Sequence, residues 1–279
     1  MTTTSDEKSL RDFADGMEML GEKHEVRWVL DEMRALGRGF DYLHHVLERR
    51  RAGEPLAYIF GHWAFRNHEF KVRKGTLIPR PETEELVDLV LEKMRAKNKS
   101  FSEWKIVDAG AGSGCLGISL YLEAKKSLGL LAQLALVEIS DSAISVLEEN
   151  IAALAPDAKL FKGSWLEWPP ETIQVLVSNP PYISGIASDK PDLSVAEWEP
   201  QNALFPKDLA QFPDASGPYR ELVKIANHVV ERGGIAAFEL GAAQAEWIEG
   251  FVKDNYPLWS GHLVKDMSGK SRFWIMQRL

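Results

Sequence analysis

The chain has 279 residues, 45% of them hydrophobic and 27% charged, which is enough to bury a full core in one large domain and a smaller second one. Its formal net charge of −8 argues against a nucleic-acid substrate, because the one compact basic cluster is Arg49, Arg50 and Arg51. With Cys115 as its single cysteine, the chain excludes an internal disulfide bond and a metal site built from cysteines.

The pattern of apolar residues predicts neither a secretory signal nor a membrane span. Charged residues interrupt every apolar stretch near the N-terminus, and no run approaches the roughly twenty apolar residues that a membrane span needs. We therefore expect a cytoplasmic protein that has no membrane partner.

Three amphipathic helices are predicted at the start of the chain. The first lies within Asp6–Leu20, the second covers 26–36 and ends at Gly37, and the third covers 40–47. In each of them apolar residues recur three and four positions apart, which is typical of helices that pack on one face. The three helices together predict a small bundle.

A β-hairpin is predicted to follow the bundle. Its strands are 63–65 and 69–72, and its turn contains Arg66, Asn67 and His68. We expect residues 1–75, the bundle and the hairpin linker, to dock the substrate, and residues 76–279 to form the larger domain.

After residue 100, strands and helices alternate. This alternation predicts an α/β domain with a mainly parallel, doubly wound sheet. The expected strands are seven, at about 105–109, 133–138, 158–162, 174–178, 234–239, 260–265 and 271–277.

A glycine-rich turn follows the first of these strands. Gly110, Gly112 and Gly114 allow the backbone to approach a ligand closely, and the helix that begins beyond them offers free N–H groups. The spacing of Gly112, Gly114 and Gly117 also fits a dinucleotide fingerprint, with Glu138 where a ribose-binding acid belongs. Glycine spacing alone does not separate NAD from S-adenosylmethionine.

The tetrapeptide Asn179-Pro180-Pro181-Tyr182 follows an apolar strand and predicts a polar clamp at the ligand-binding edge of the sheet. The carbonyl oxygens of Asn179 and Pro180 can accept the two hydrogens of an NH2 group, while Tyr182 packs against the substrate plane. The proline rings fix the aim of these carbonyl groups.

The clamp also decides the cofactor. Methyl transfer uses both a methyl donor and a held nitrogen, whereas a nicotinamide enzyme has no evident use for an NH2 clamp. In addition, the carboxylate of Asp108, just ahead of the glycines, can meet the ammonium of an amino-acid moiety, which S-adenosylmethionine has and NAD lacks. We therefore predict S-adenosylmethionine as the cofactor and no metal.

Several further motifs extend from about Arg49 to the C-terminus. Besides the glycine turn after Asp108, they are GxPxxYIxG at 53–61, LIPRPETEELV at 77–87, VSNPPYI at 177–183, EPxxAL at 199–204, ExGxxQ at 239–244 and DxxGxxR at 266–272. With these motifs the sequence resembles the protein-(glutamine) N-methyltransferases of the PrmC/HemK type, which modify peptide chain release factors.

The resemblance implies methylation of the glutamine in the Gly-Gly-Gln loop of release factors, on a Rossmann-like seven-stranded sheet whose final strand is inserted antiparallel. It implies cofactor contacts from Asp108, Gly110, Gly112, Gly114, Glu138, Ser164, Trp165 and Asn179. It implies a catalytic role for Asn179, Pro180 and Tyr182, with Pro181 joining them in substrate binding. The segment 77–87, which contains Glu82 and Thr83, is expected either close to the cofactor or simply at a helix N-terminus.

Three positions depart from the family pattern. Glu138 stands where the family usually has aspartate, and Ser164 stands where it presents an acid near adenine. The segment Ser184–Tyr219, expected to contact substrate, has its own sequence. A ribosomal-protein glutamine methyltransferase, an adenine methyltransferase of nucleic acid and a cofactor-binding scaffold without catalysis therefore remain as alternatives, although intact Asn179 and Asp108 speak against the scaffold.

Overall fold

The computed structural model describes residues 23–97, 100–169, 171–184 and 193–279. Contacts divide the chain into two compact units, one ending at His62 and the other beginning at Trp63. The helix predicted within Asp6–Leu20 lies outside the described residues.

The described part of the smaller unit is helical. It contains α1 (Lys23–Leu36), α2 (Phe40–Arg51) and α3 (Leu56–Phe60). The second and third predicted helices are thus present, and Gly37 follows α1 with a φ of 60°, a conformation that glycine adopts without strain. The short helix α3 is not predicted by the periodicity, because five residues are too few to show one.

The basic cluster of α2 is used within this unit. The Arg49 guanidinium donates to both carboxylate oxygens of Glu54 at 2.7 and 2.5 Å and to the carbonyl oxygen of Ile59 at 3.3 Å. Arg50 donates to Glu25 at 2.9 Å. Two of the three arginines therefore stabilise the bundle itself.

The larger unit contains nine strands and seven helices in its described residues. The strands are β1 (His62–Phe65, which starts at the division), β2 (His68–Lys71), β3 (Trp104–Ala109), β4 (Ala132–Glu138), β5 (Lys159–Lys162), β6 (Ile173–Ser178), β7 (Val230–Glu239), β8 (Trp259–Lys265) and β9 (Ser271–Arg278). The helices are α4 (Pro81–Ala96), α5 (Cys115–Leu128), α6 (Asp141–Leu154), α7 (Leu193–Trp198), α8 (Gln201–Leu204), α9 (Gly217–Val229) and α10 (Ala242–Asn255). None of the helices in the described residues is long and apolar enough to cross a membrane.

Strands β3 to β9 form one sheet in the order β5-β4-β3-β6-β7-β9-β8. The first five of these are parallel to their neighbours, and β9 lies antiparallel between β7 and β8. The predicted seven-stranded sheet is confirmed, and so is the antiparallel insertion of the final strand.

Both faces of the sheet are buried. Along β6, Val175 and Val177 face the core formed with α4 and α5, whereas Leu176 faces the core formed with α9 and α10. Alternating side chains of a strand point to opposite faces, so a strand covered on both sides is apolar throughout. This explains the apolar run 175–177, which precedes Ser178 and Asn179.

The hairpin β1–β2 belongs to the larger unit. Its Phe65 and Phe70 are buried in the core beside α4 and α5. At its turn Arg66 donates to Glu123 at 2.5 and 2.7 Å and to Asp88 at 2.8 Å. The contacts therefore group the hairpin from Trp63 onward with the larger unit, whereas the prediction from sequence groups residues 1–75, including the hairpin, with the bundle.

Parallel order brings the carboxyl ends of β3, β4, β6 and β7 to one edge of the sheet. Asp108, Glu138, Asn179 and Glu239 lie at or just beyond these ends. Ligands bind at this edge in open α/β sheets.

Candidate functional site

A cavity of about 340 Å³ opens at this edge, entirely within the larger unit. Its volume lies in the range of about 300–1,000 Å³ usual for small-molecule sites. The wall is formed by parts of the segments 75–83, 108–116, 137–143, 163–166, 179–181 and 200–208, together with Pro218 and Glu221 of α9.

The glycine turn forms one side of the cavity. Gly110 and Gly112 line it, and both have positive φ, 77° and 57°. A Cβ atom at Gly112 would meet no atom within 4 Å, so the turn leaves open space there. Gly114, which is also a predicted cofactor contact, does not line the cavity; it precedes α5 with a φ of 83°, and a Cβ atom there would lie 2.6 Å from Leu147 Cδ1.

Asp108 lies on the cavity wall beneath the glycine turn. It is 1% exposed, and its Oδ2 accepts a hydrogen bond from the Gly117 N–H at 2.8 Å. A Cβ atom at position 117 would lie 2.7 Å from Asp108 Cβ, so glycine is needed there for close packing. Burial and, to a smaller extent, the nearby charge of Glu138 together raise the pKa of the Asp108 carboxyl to about 7, although the hydrogen bond from the Gly117 N–H lowers it. A ligand cation would offset both effects.

Glu138 lies on the next strand and holds three backbone N–H groups. Its Oε2 accepts from Gly112 at 2.8 Å, and its Oε1 accepts from Ile139 at 2.9 Å and from Ser140 at 2.8 Å. A carboxylate has about four acceptor positions, so one is left. Binding of two ribose hydroxyls by Glu138, as the resemblance implies, therefore requires one of these N–H groups to be released.

An apolar slot lies beyond Glu138. Ile139 and Leu166 line the cavity although they are 51% and 56% exposed. Ser164 and Trp165, two of the predicted cofactor contacts, line it too, and the Trp165 indole N–H donates to Glu221 at 2.7 Å. Glu221 has no motif signal in the sequence, and it places an acidic group in the wall on the side where Ser164 lacks one.

Asn179 also lines the cavity, and its side chain is held by a series of hydrogen bonds that runs into the protein interior. Its Nδ2 donates to Thr83 Oγ1 at 3.1 Å, and Thr83 Oγ1 donates to Glu239 Oε2 at 2.6 Å. Its Oδ1 is shielded from solvent and accepts no hydrogen bond from the described residues. Thr83 lies in the first turn of α4, where it makes no side-chain cap, and it also lines the cavity, so the two expected placements coincide.

The other clamp residues divide into two groups. Pro180 and Pro181, the predicted substrate contacts, line the cavity. Tyr182 does not: its ring packs beside Gly241, where a Cβ atom would lie 3.1 Å from Tyr182 Cδ2. The backbone carbonyl oxygen of Tyr182 accepts from Gln244 of α10 at 3.3 Å.

Part of the divergent segment forms the outer wall. Pro206, Lys207 and Asp208 line the cavity, while residues 185–192 of that segment lie outside the described part. Ahead of this wall, Glu199 accepts from Arg80 at 2.6 Å and from the Ile78 N–H at 3.0 Å. Glu199 thereby ties the two segments 77–80 and 200–208 together.

This donor set fits S-adenosylmethionine. Asp108 offers a carboxylate for its ammonium, Gly112 leaves space for close approach, and Ile139 and Leu166 offer apolar surface for adenine. The shielded Oδ1 of Asn179 calls for a hydrogen-bond donor, because an unpaired buried acceptor costs about 1–3 kcal/mol.

Comparisons with known proteins show which family of proteins the chain is similar to. Residues 85–194 match the family described as the methyltransferase small domain. A release factor glutamine methyltransferase of Enterococcus faecalis is 32% identical over 224 residues, which cover 80% of this chain and 76% of the relative. Another, of Leptospira interrogans, is 36% identical over 249 residues, which cover 85% and 79%.

Among solved structures, a methyltransferase from Pyrococcus furiosus is similar with a TM-score of 0.51 and 15% sequence identity. The similarity covers 83% of this chain and 96% of that one. It extends the agreement to the fold of the α/β sheet.

Proposed function

The chain belongs to the family of release factor glutamine methyltransferases, and from this premise we propose that it methylates the side-chain amide nitrogen of a glutamine in a peptide chain release factor. Its cofactor is S-adenosylmethionine and its reaction is methyl transfer, as in the rest of the family. The finer proposal concerns the acceptor, the glutamine of the Gly-Gly-Gln loop, and the residues that hold it.

The observation that carries this proposal is the Asn179 side chain. Its Nδ2 is engaged by Thr83, whereas its Oδ1 is shielded and accepts no hydrogen bond within the described structure. An amide NH2 group is the complementary donor, with one hydrogen for Oδ1 and one for the carbonyl oxygen of Pro180. Pro180 lies in the wall directly after Asn179.

Holding the amide in this way serves the reaction. S-adenosylmethionine supplies a sulfonium methyl group, which is strongly electrophilic, whereas an amide nitrogen is a poor nucleophile because its lone pair is delocalised. Asn179 and Pro180 would hold the substrate nitrogen toward the methyl group that S-adenosylmethionine would supply. Transfer would leave the cofactor's sulfur as a thioether and would release one proton from the nitrogen to water. Orientation alone can contribute about 7–11 kcal/mol, and hydrogen bonds to two carbonyl oxygens favour the positive charge that develops on nitrogen.

The cofactor side of the cavity has its own residues. We propose that Asp108 binds the ammonium and Glu138 the ribose, with Gly110 and Gly112 allowing close approach. Trp165 covers Gly110, since a Cβ atom there would lie 3.0 Å from its ring. Ser164 lies in the same wall, toward the proposed place of adenine.

We further propose that residues 1–62 and the segment 184–219 dock the folded release factor and present its loop to Asn179. A free peptide would have to order its backbone on binding, at roughly 1–2 kcal/mol per residue. A docked loop avoids much of that cost. The proposal assigns the reaction to the cytoplasm, where translation takes place.

A labelled-methyl assay tests the proposal. The full chain and labelled S-adenosylmethionine are incubated in three separate reactions, one with purified release factor, one with ribosomal proteins and one with DNA. We expect label in the release factor, and none once the glutamine of its Gly-Gly-Gln loop is replaced. Transfer to ribosomal protein or to DNA alone would assign one of the other acceptors instead.

A further inference from the structure

The amide of Asn179 could point either way, because its oxygen and nitrogen have nearly the same shape. Which end faces the substrate depends on the hydrogen bonds that the side chain makes. In the observed orientation, Nδ2 faces Thr83 and Oδ1 is left for a donor. The opposite orientation would present an NH2 group to the substrate's NH2 group, and two donors repel each other.

The groups behind Asn179 decide between these orientations. Thr83 is 2% exposed and Glu239 is 1% exposed, so water does not compete for their hydrogen bonds. An ionised carboxylate can only accept, so Glu239 takes the single proton of the Thr83 hydroxyl. The Thr83 oxygen is then limited to accepting, and the group it accepts from is the Asn179 NH2.

We propose that Glu239 and Thr83 are positioning residues that set the orientation of the Asn179 amide, so that its carbonyl oxygen faces the substrate nitrogen. Neither residue needs to touch the reacting atoms for this role. The inference rests on the proposed function for its substrate, but the orientation itself is a property of the protein alone.

The protonation state of Glu239 can change with pH, and it decides the direction of these hydrogen bonds. Once protonated, its carboxyl can donate to Thr83, whose own proton is then released to hold the opposite orientation of Asn179. Burial raises the pKa of the Glu239 carboxyl to about 7, so this change falls near neutral pH. The titratable and charged groups whose charges act on Glu239 or are affected by it are Glu82, Arg80, Arg272, Tyr182, Tyr219 and Cys115.

Two substitutions at Thr83 test the inference. Thr83→Val keeps the shape but removes the hydroxyl, and Thr83→Ser keeps the hydroxyl. We expect Thr83→Val to lower the single-turnover rate of methyl transfer roughly 10- to 100-fold. The dissociation constant for S-adenosylmethionine should change by less than about twofold, and Thr83→Ser should restore most of the rate.

Tyr219→Phe is the matched control. The Tyr219 hydroxyl donates to the backbone carbonyl oxygen of Glu239 at 2.8 Å, and the residue is fully buried. Loss of this hydroxyl removes a buried hydrogen bond beside Glu239 and leaves the hydrogen bonds between the side chains of Asn179, Thr83 and Glu239 intact. We expect lower stability, while the side-chain NH2 of Asn179 should keep its hydrogen bond to Thr83 Oγ1 and exchange as slowly as in the wild type.

Glu239→Gln tests the direction of the hydrogen bonds between Glu239, Thr83 and Asn179. A carboxamide can accept from Thr83 or donate to it, so both orientations of Asn179 become possible. We expect a smaller loss of rate, roughly 3- to 10-fold. The wild-type rate should fall as the pH drops below about 7, and this fall should be absent in Glu239→Gln.

A readout without substrate separates this inference from the proposed function. In the full-length protein, hydrogen exchange of the Asn179 side-chain NH2, identified by its loss in Asn179→Ala, should be slow in the wild type and in Thr83→Ser. It should be fast in Thr83→Val. A wild type that leaves release factor unmethylated would overturn the function alone; equal exchange in Thr83→Val and wild type, or an equal transfer rate, would overturn the positioning role.

Discussion

A buried carboxylate lies beside each of two parts of the cavity wall, Asp108 beside the glycine turn and Glu239 behind Asn179, and the two have different roles. Asp108 lies in the cavity wall, and one of its carboxylate oxygens accepts a hydrogen bond from the backbone N–H of Gly117. Glu239 does not line the cavity and acts on Asn179 through the Thr83 hydroxyl. Burial raises the pKa of both carboxyl groups to about 7.

The difference separates binding from transfer. A carboxylate that faces the cavity can be neutralised by a cationic ligand, so Asp108 should contribute mainly to cofactor affinity. A carboxylate behind a hydroxyl orients a neutral amide, so Glu239 should contribute mainly to the rate. Substitutions on the two sides should therefore have different kinetic signatures.

The largest effect is expected from Asn179→Ala on the clamp side. Removing the carbonyl oxygen that holds the substrate nitrogen should lower the single-turnover rate roughly 100- to 1000-fold, comparable to the loss of one oxyanion-hole donor. Calorimetry should show that S-adenosylmethionine still binds. Near-normal turnover would remove the clamp from the mechanism.

A smaller effect, on the affinity for the cofactor and not on the rate, is expected from Asp108→Asn beside the glycine turn. Loss of the charge facing the ammonium should weaken S-adenosylmethionine binding by about 2 kcal/mol, or roughly 30-fold, with little change in the rate at saturation. Thermal unfolding reports the affinity, since S-adenosylmethionine at 100 times its dissociation constant should add about 2.7 kcal/mol to the wild type. NAD should add nothing, and protection by NAD alone would reverse the choice of cofactor.

The pH dependence of stability tests the same carboxylate without ligand. Because the folded-state pKa of Asp108 is raised to about 7, the folded protein holds more protons than the unfolded chain between about pH 4 and 7. The free energy of unfolding should therefore fall as pH rises through this window and level off above it.

In Asp108→Asn this part of the fall is absent, while an acceptor for the Gly117 N–H remains. We expect the unliganded variant to be more stable than the wild type at pH 8 by about 1–2 kcal/mol. Denaturant titrations at pH 5 and pH 8 measure the difference. A variant less stable than the wild type at pH 8 would show that the Asp108 charge is not a cost to folding.

The smallest effect is expected from a change outside both sides. Deleting residues 1–62 should leave the affinity for S-adenosylmethionine and the rate on a Gly-Gly-Gln peptide unaltered. It should erase a preference of roughly 10-fold, about 1.4 kcal/mol, for the intact release factor. An undiminished preference in a truncated chain that still binds the cofactor would contradict the docking role.

Much of the fold, and the positions of Asp108 and Asn179 within it, can be predicted from local sequence. The apolar runs of the parallel strands predict a sheet buried on both faces, and the polar residues that follow them, such as Asp108 and Asn179, fall at its ligand-binding edge. The period of these runs identifies the strands, and parallel order brings their ends together.

What the sequence does not predict depends on contacts between distant positions. Thr83 and Glu239 are 156 positions apart, and no local pattern pairs them. The same holds for Arg66 and Glu123, 57 positions apart, whose ion pair attaches the hairpin to the larger unit. The direction of the Tyr182 ring is likewise set by packing beside Gly241.

The independence of the two sides is tested most directly by a double-mutant cycle. The free energy of activation for methyl transfer to the release factor, measured below saturation in cofactor, is compared among wild type, Asn179→Ala, Asp108→Asn and the double variant. If the clamp and the glycine side act separately, the two effects should add within about 0.5 kcal/mol. A coupling of more than about 1 kcal/mol would show that they act as one unit and would contradict the separation of binding from transfer.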